Sequence, residues 1–368
     1  MTAELSRVSA LASRHTALGS GLEDWNGMGT AWTYRSDPND EHDAVREAAG
    51  LFDMSPLKKV YVRGADAAKA VDDVITRDMT KIYPGESAYG AILTERGTVS
   101  DDAIIANNGG NKWLLCHGSG GSMERLQESV EGLNVDLELD DDLHNIAVQG
   151  PKALALLDAH TPMDLTALQY FHHQASEIFG HACRISRTGY SGERGYEILT
   201  GSAVIGDIWD NLLGHGEQHG VMPCSFTALD KVRIEAALLF YGYDMTDDHT
   251  PWETGLGFTV ARNKGDFRGK DATFAAEGKE RFLGAGIVAD HSDALAGGEK
   301  LMLEGEDVGV VNSPCWSHRM NESLALCHVR PDAATPGTRL EVVGDDFSCT
   351  ASVEAIPFYD RRKSRVRA

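Results

Sequence analysis

Positive charge is scarce in this chain of 368 residues, since 34 Lys and Arg stand against 56 Asp and Glu and give a formal net charge of −22. A field of that sign repels nucleic-acid phosphates, so we predict no nucleic-acid partner. No apolar run approaches the roughly 18 residues that a membrane helix needs. The first residues also lack the continuous apolar core of a secretory signal. We therefore predict no membrane association and a cytoplasmic location.

Closely spaced cysteines are absent as well. The six cysteines are scattered without a CxxC pair, which indicates reduced thiols rather than a disulfide framework. The sequence has no HExxH motif, and His172 and His173 are adjacent, so their side chains diverge on most backbones. We predict no metal site. A glycine-rich segment at 118–122 has Met123 where a dinucleotide-binding fingerprint needs glycine.

The composition, 42% hydrophobic and 24% charged, is that of a globular protein with real cores. Strand-like and helical segments follow one another without regular βα alternation, which predicts an α+β fold of two or three domains. The clearest helix is TALDKVRIEAALLFYG, with Ala228, Val232, Glu235 and Leu239 on one stripe. A linker is predicted near 246–255. Six short strand-like runs follow it and indicate a compact antiparallel carboxyl-terminal domain.

Seven segments in this order and spacing resemble the aminomethyltransferase family, whose type member is the T-protein of the glycine cleavage system. The resemblance extends from about residue 15 to 362. The segments are EHDAVREAAGLFDMSPL (41–57), RGTVSDDAII (96–105), NIAVQGP (145–151), SRTGYSGERGYEI (186–198), ALDKVRIEAALLFYGYDM (228–245), DFRGKDA (266–272) and IPFYD (356–360).

This resemblance implies a three-domain cloverleaf of mostly antiparallel sheets with flanking helices, around a central funnel that binds tetrahydrofolate. It implies a discontinuous first domain over 1–50 and 142–245, a second domain over 51–141 and a β-rich third domain over 246–368. Our independent boundary near 246 agrees with this division. The split of the first domain follows from the resemblance alone.

The resemblance assigns the catalytic carboxylate, close to N5 of the folate, to Asp101. Successive side chains of a strand point to opposite faces, so only one of Asp101 and Asp102 can face a central cavity. A buried carboxylate there can take a proton from N5 or stabilise positive charge on the departing one-carbon unit. The alternative for a bare pair of aspartates is a turn cap or a solvated pair.

Two charged residues match the folate pocket of the family. Glu197 matches the pterin-binding glutamate, because a carboxylate pairs with the two N–H groups of the pterin edge; the alternative is a salt bridge to an arginine. Arg233 matches a pocket arginine, and the alternative is a helix-surface pair with Asp230 or Glu235.

Aromatic residues supply the remaining candidates. Tyr89 and Tyr241 are predicted to stack on or hydrogen-bond the cofactor, with plain core packing as the alternative. Departures from the T-protein pattern bring in tryptophans that can cage a cationic methyl donor by cation–π attraction, or else pack domain interfaces. These tryptophans are Trp25, Trp32, Trp252 and Trp316.

The resemblance therefore implies a one-carbon transferase that uses tetrahydrofolate as the acceptor. We predict a small methylated donor, a sulfonium or an ammonium compound, as for the dimethylsulfoniopropionate demethylases of the broader family. One alternative is a T-protein that acts on an aminomethyl group held by a lipoyl carrier protein. Another is a non-catalytic folate-binding protein of iron–sulfur maintenance, although that branch carries a cysteine motif where this chain has ALLFYGYDM.

Overall fold

The computed structural model describes residues 5–368 and confirms an α+β fold of mostly antiparallel sheets. Two open sheets and a closed barrel each enclose or cover an apolar core. A short ribbon precedes them, formed by Glu23–Trp25 and Met28–Thr30. None of the helices among residues 5–368 has the length and apolar character to cross a membrane.

The six-stranded sheet is antiparallel except for its last strand, which pairs in parallel. Its strands, in spatial order, are His173–Ile178, His181–Ser186, Gly195–Gly201, Leu143–Gln149, Gly50–Asp53 and Met222–Pro223. One face packs on Ser202–Gly216, whose Trp209 is fully buried, and the other supports Phe226–Glu235. The helices of this region are Ala12–Ala17, Pro38–Glu47, Ala153–Asp158, Ser202–Gly216 and Phe226–Glu235, with a 3₁₀ turn at Glu217–His219.

The five-stranded sheet lies wholly within residues 58–139. Its strands, in spatial order, are Ser87–Leu93, Val99–Asn107, Lys112–His117, Lys58–Arg63 and Asp136–Leu139. Two amphipathic helices, Ala67–Val74 and Ser122–Ser129, cover one face with valine, alanine and leucine side chains. A 3₁₀ turn spans Met79–Lys81. The opposite face of the sheet is turned toward the centre of the molecule.

The carboxyl-terminal strands close into a six-stranded antiparallel barrel, which leaves no sheet edge to pair with another chain. In order around the barrel they are Leu283–Ala289, Glu322–Val329, Glu306–Ser317, Lys300–Leu303, Arg339–Val343 and Ser348–Glu354. They correspond to the six predicted strand-like runs. The remaining elements are the 3₁₀ turn Leu256–Thr259 and the helices Lys270–Ala276 and Ser364–Arg367.

The three-domain division stays a prediction, although each sheet is drawn largely from one predicted domain. The strand Gly50–Asp53 crosses the predicted boundary at residue 50, because it pairs with Leu143–Gln149 in the six-stranded sheet. The pairing joins the end of the first predicted segment, and the three residues after it, to the segment that begins at residue 142.

The helix predicted to continue toward residue 242 ends at Glu235. Leu238 N bonds to Arg233 O at 2.9 Å and Ala237 N bonds to Ile234 O at 3.0 Å, the two bonds of a Schellman cap. Ala237 takes the left-handed position at φ 53°, where glycine is usual. The chain therefore turns away from the helix axis, and Leu239 lies on a loop rather than on the predicted helical stripe.

Candidate active site

A cavity of about 1130 Å³ lies where the two open sheets and the barrel meet. Its wall includes Tyr89 and Asp102 from the five-stranded sheet, Glu197 from the six-stranded sheet and His328 from the barrel. Pockets for small molecules usually measure roughly 300–1,000 Å³, so this cavity has room for a large coenzyme. A ligand here would touch all three sheets.

Asp102 is half-buried on the cavity wall, within the strand Val99–Asn107. Burial, and next the charge of Asp101, raises the pKa of its carboxyl to about 7. The Tyr89 hydroxyl is its hydrogen-bonding neighbour and partly opposes this rise. Burial and then the Asp102 charge raise the pKa of Tyr89 well above its usual value, so this phenol stays protonated. A carboxyl that titrates near neutrality can donate or accept a proton during catalysis.

The structure corrects the predicted placement of Asp101 on the cavity. The Asp101 side chain is fully buried, and it is held by Ser122 Oγ at 2.5 Å and His117 Nδ1 at 3.0 Å. Its Oδ1 accepts from the Asp102 backbone N–H at 2.9 Å. A Cβ added to Gly120 would approach Asp101 Cγ to 2.5 Å, so the glycine lets the loop close over the carboxylate. Asp101 thus anchors the backbone, and Asp102 faces the ligand space.

Glu197 lies on the cavity wall, as predicted for a ligand-binding glutamate. Its Oε1 accepts from Asn145 Nδ2 at 2.8 Å, and its Oε2 accepts from the Thr188 hydroxyl. The predicted alternative, a salt bridge to an arginine, is not among the ion pairs of residues 5–368. Two neutral donors therefore hold the carboxylate, and no cation is paired with it among residues 5–368. Such a carboxylate can bind N–H groups of a ligand.

Tyr89 and Tyr241 both line the cavity, together with Tyr190. Burial, and then the charge of Asp247, raises the pKa of Tyr241 to about 12. The Tyr190 hydroxyl donates to Leu239 O at 2.5 Å, which fixes the loop after the Schellman cap. The loop residues Leu238–Tyr241 consequently form part of the wall.

Arg233 lies beneath the cavity wall instead of on it, which corrects the predicted pocket role. Its guanidinium bonds to Asp230 at 2.6 Å, as the alternative predicted, and to Asp244 at 2.6 Å. It also donates to Ser313 Oγ of the barrel at 2.9 Å and to Leu238 O at 3.2 Å. Arg233 therefore joins the helix, the cavity loop and the barrel.

The predicted tryptophan cage is not assembled. Trp25 lines the cavity and packs on Phe226, with ring centroids 4.9 Å apart, whereas Trp32 packs on the same phenylalanine at 5.3 Å and does not line the cavity. Trp252 Nε1 donates to Thr273 O at 2.7 Å, away from the cavity, and Trp316 O accepts from Lys231. The packing alternative holds for Trp32 and Trp252, Trp316 does not line the cavity, and Trp25 alone of the four contacts the ligand space.

One cluster outside the cavity has the side chains of a metal site. Ligand atoms of His42, Asp43 and His318 lie within 4.8 Å of one another. However, Asp43 Oδ1 already accepts from His318 Nε2 and from Arg319 Nη1, both at 2.9 Å. Ion pairs account for this cluster, and the absence of a metal stays a prediction.

Sequence reasoning missed Asn145 and Tyr190 and assigned the cavity carboxylate to the wrong member of its pair. Asn145 carried a usable signal, because it is a polar residue at the start of the apolar run NIAV. Tyr190 lies in the glycine-rich turn before Glu197, and the motif gives no separate signal for its side chain. A β-bulge beside Ser100 changes the side-chain alternation directly before Asp101, and no residue pattern signals it.

Comparison with known proteins extends over nearly the whole chain. Residues 11–264 match the GCVT N-terminal domain, and residues 282–360 match the glycine cleavage T-protein C-terminal barrel domain. The "Heme-dependent oxidative N-demethylase gamma subunit" of Ectopseudomonas mendocina (strain ymp) is 44% identical over 98% of this chain and 97% of its own length. An aminomethyltransferase of Saccharopolyspora erythraea is 33% identical over 96% of this chain and 98% of its own length.

A solved structure shows the same architecture. The glycine cleavage system aminomethyltransferase T from Bartonella henselae superposes with a TM-score of 0.89 at 25% identity, covering 96% of this chain and 98% of its own.

Proposed function

Because the chain belongs to the glycine cleavage T-protein family, we propose that it transfers a one-carbon unit to N5 of tetrahydrofolate in the central cavity. The observation that carries this proposal is the placement of Asp102 and Glu197, from two different sheets, on the wall of one cavity. Asp102 can exchange a proton near neutral pH, and Glu197 can accept hydrogen bonds from the N–H groups at the edge of a pterin.

The cavity residues fit tetrahydrofolate. Glu197 offers a carboxylate to the N–H groups of the pterin, and Tyr89, Tyr190 and Tyr241 offer aromatic surface and hydroxyl groups. When bound, tetrahydrofolate supplies a nucleophilic nitrogen. The protein's own part is to fix that nitrogen next to the carbon donor, which makes the encounter effectively intramolecular.

The relatives support a donor at the oxidation level of formaldehyde. The relative at 44% identity is named as one subunit of an oxidative N-demethylase, and oxidation of an N-methyl group releases its carbon at that level. We propose that this chain captures such a carbon after a partner subunit has released it from a methylated amine. Capture yields 5,10-methylenetetrahydrofolate and water without net redox change, so it needs no electrons from this chain.

The predicted direct use of a sulfonium or quaternary ammonium donor has lost its main structural support, because the tryptophan cage is not assembled. The aminomethyl group of a lipoyl carrier is the second candidate donor, favoured by the aminomethyltransferase relatives. It would deliver a carbon at the same oxidation level, and its transfer would release both ammonia and the dihydrolipoyl thiol of the carrier.

Asp102 has the same task with either donor. Its protonated form donates to the departing oxygen or nitrogen, and its ionised form then accepts the proton released by the attacking amine. Tyr89 orients the carboxyl, and Asp101 holds the backbone of Asp102 in place.

The test is a stopped-flow assay with purified protein, tetrahydrofolate and either formaldehyde or an aminomethyl-lipoyl carrier. The uncatalysed condensation of formaldehyde with tetrahydrofolate is subtracted. We expect formation of 5,10-methylenetetrahydrofolate above that background, reduced in Asp102→Asn and unchanged in Asp136→Asn, an exposed aspartate of the same sheet. A non-catalytic folate-binding protein would bind the coenzyme and give only the background rate. Absence of folate binding would overturn the proposal entirely.

A further inference from the structure

We propose that Asn145 accepts a hydrogen bond from the exocyclic amino group of the pterin and thereby acts with Glu197 as a specificity determinant for 2-amino-pterins. This inference rests on the proposed function and concerns the same cavity. It is motivated by one buried carbonyl oxygen that the described residues leave without a partner.

The two side chains lie on the same face of the six-stranded sheet. Asn145 is directly opposite Leu199, and Glu197 lies two residues earlier on that neighbouring strand. Residues opposite one another and residues two apart share a face of a sheet, and all three of these residues line the cavity. Asn145 and Glu197 therefore form one continuous polar patch on the cavity wall.

The orientation of the Asn145 amide follows from its neighbour. An ionised carboxylate only accepts hydrogen bonds, so the amide must turn Nδ2 toward Glu197 Oε1, at 2.8 Å. Its Oδ1 then points away from Glu197. Asn145 is only 1% exposed, and its Oδ1 has no hydrogen-bond partner among residues 5–368.

A buried carbonyl without a partner is costly, and an apolar residue would avoid that cost at a strand position flanked by Ile146. The backbone of Asn145 gives no other reason for the amide, since its N–H donates to Ser55 Oγ and its carbonyl accepts from Met54 N. A ligand that donates to Oδ1 explains the residue.

The number of free acceptor positions matches the pterin edge. Each carboxylate oxygen of Glu197 accepts one hydrogen bond from the protein, and each has a second lone pair. With Asn145 Oδ1 this makes three open acceptor positions. The 2-amino-pyrimidinone edge of a pterin carries three N–H hydrogens, one on N3 and two on the exocyclic amine. Glu197 takes one from each nitrogen, and Asn145 takes the second amine hydrogen.

The alternative is that Asn145 only positions Glu197. Two ligands separate these roles: tetrahydrofolate, and its 2-desamino-2-methyl analogue, which keeps N3–H and loses both amine hydrogens. Binding is measured by isothermal titration at neutral pH with wild type, Asn145→Leu and Thr188→Val. Thr188→Val is the matched control, because it removes the other donor to Glu197 and leaves the Asn145 carbonyl in place.

We expect Asn145→Leu, which like Thr188→Val removes a donor to Glu197, to weaken both ligands, but to weaken tetrahydrofolate by about tenfold more than the analogue. Thr188→Val should weaken both ligands by a similar factor. An Asn145→Leu penalty of equal size with both ligands, or no penalty, overturns the inference and leaves the proposed function intact. Failure of the wild type to bind tetrahydrofolate overturns the proposed function itself. If Asn145→Leu does not fold, Asn145→Ser serves the same comparison.

Discussion

The substitution Asp102→Asn removes a carboxyl group that titrates near neutrality. It should therefore slow the transfer and abolish the pH dependence of the rate in this range. With a pKa of about 7, about ninety per cent of Asp102 is protonated near pH 6 and only about ten per cent near pH 8. If donation to the leaving oxygen or nitrogen limits the rate, kcat falls about tenfold per pH unit above about 7. Asp102→Asn should lower kcat by roughly 10²–10⁴-fold, the usual contribution of a positioned acid or base.

The assay is the stopped-flow measurement of 5,10-methylenetetrahydrofolate across this pH range, with the uncatalysed rate subtracted at each pH. Asp101→Asn is the informative companion, because it removes the neighbouring charge that helps to raise the pKa of Asp102. Its profile should keep its shape and move to lower pH. A wild-type rate independent of pH across this range, or an Asp102→Asn variant with wild-type kcat, would refute the assignment of Asp102.

Three further predictions concern binding and stability. Glu197→Gln should weaken tetrahydrofolate binding by about 10–100-fold in the titration, because an amide presents a donor to the pterin N–H groups; unchanged affinity would place the pterin elsewhere. Glu235 is buried against His42, Arg46 and Ser317, and these partners overcome burial to lower its pKa from 4.5 to about 2. The lowered pKa corresponds to about 3 kcal/mol of unfolding free energy, present above pH 4.5 and lost as the pH falls toward 2. Urea unfolding of Glu235→Gln at pH 7 should show that loss, and a change as small as that of the exposed Glu47→Gln would contradict the ion-pair account. Ala237→Gly should raise the free energy of unfolding by about 0.5–1 kcal/mol in the same titration, because glycine adopts φ 53° without strain, whereas a decrease would show that the Ala237 methyl group contributes more to packing than its backbone costs.

Local patterns predicted much of the fold. The six strands of the barrel are visible as short alternating runs bounded by turn residues, and their hairpin neighbours follow from the chain order. The end of the helix Phe226–Glu235 was missed, because its cap uses Ala237 where glycine is expected and the apolar run continues beyond it. Residues 238–241 therefore looked helical although they form the cavity wall.

The site was predicted only in part, because its geometry depends on contacts that are distant in sequence. Glu197 could be placed on the cavity, since its strand is regular and its neighbours are apolar. Arg233 could not be placed, because its bond to Ser313 joins residues 80 positions apart. The resemblance alone selected Asp101 over Asp102, and strand alternation could not decide between them, because a β-bulge lies directly before Asp101.

The most direct measurement is a crystal structure of the protein with tetrahydrofolate bound. We expect the pterin in the central cavity, with its amino edge within hydrogen-bond distance of Glu197 and its N5 beside the Asp102 carboxyl. A coenzyme bound outside this cavity, or one whose N5 lies away from Asp102, would contradict it.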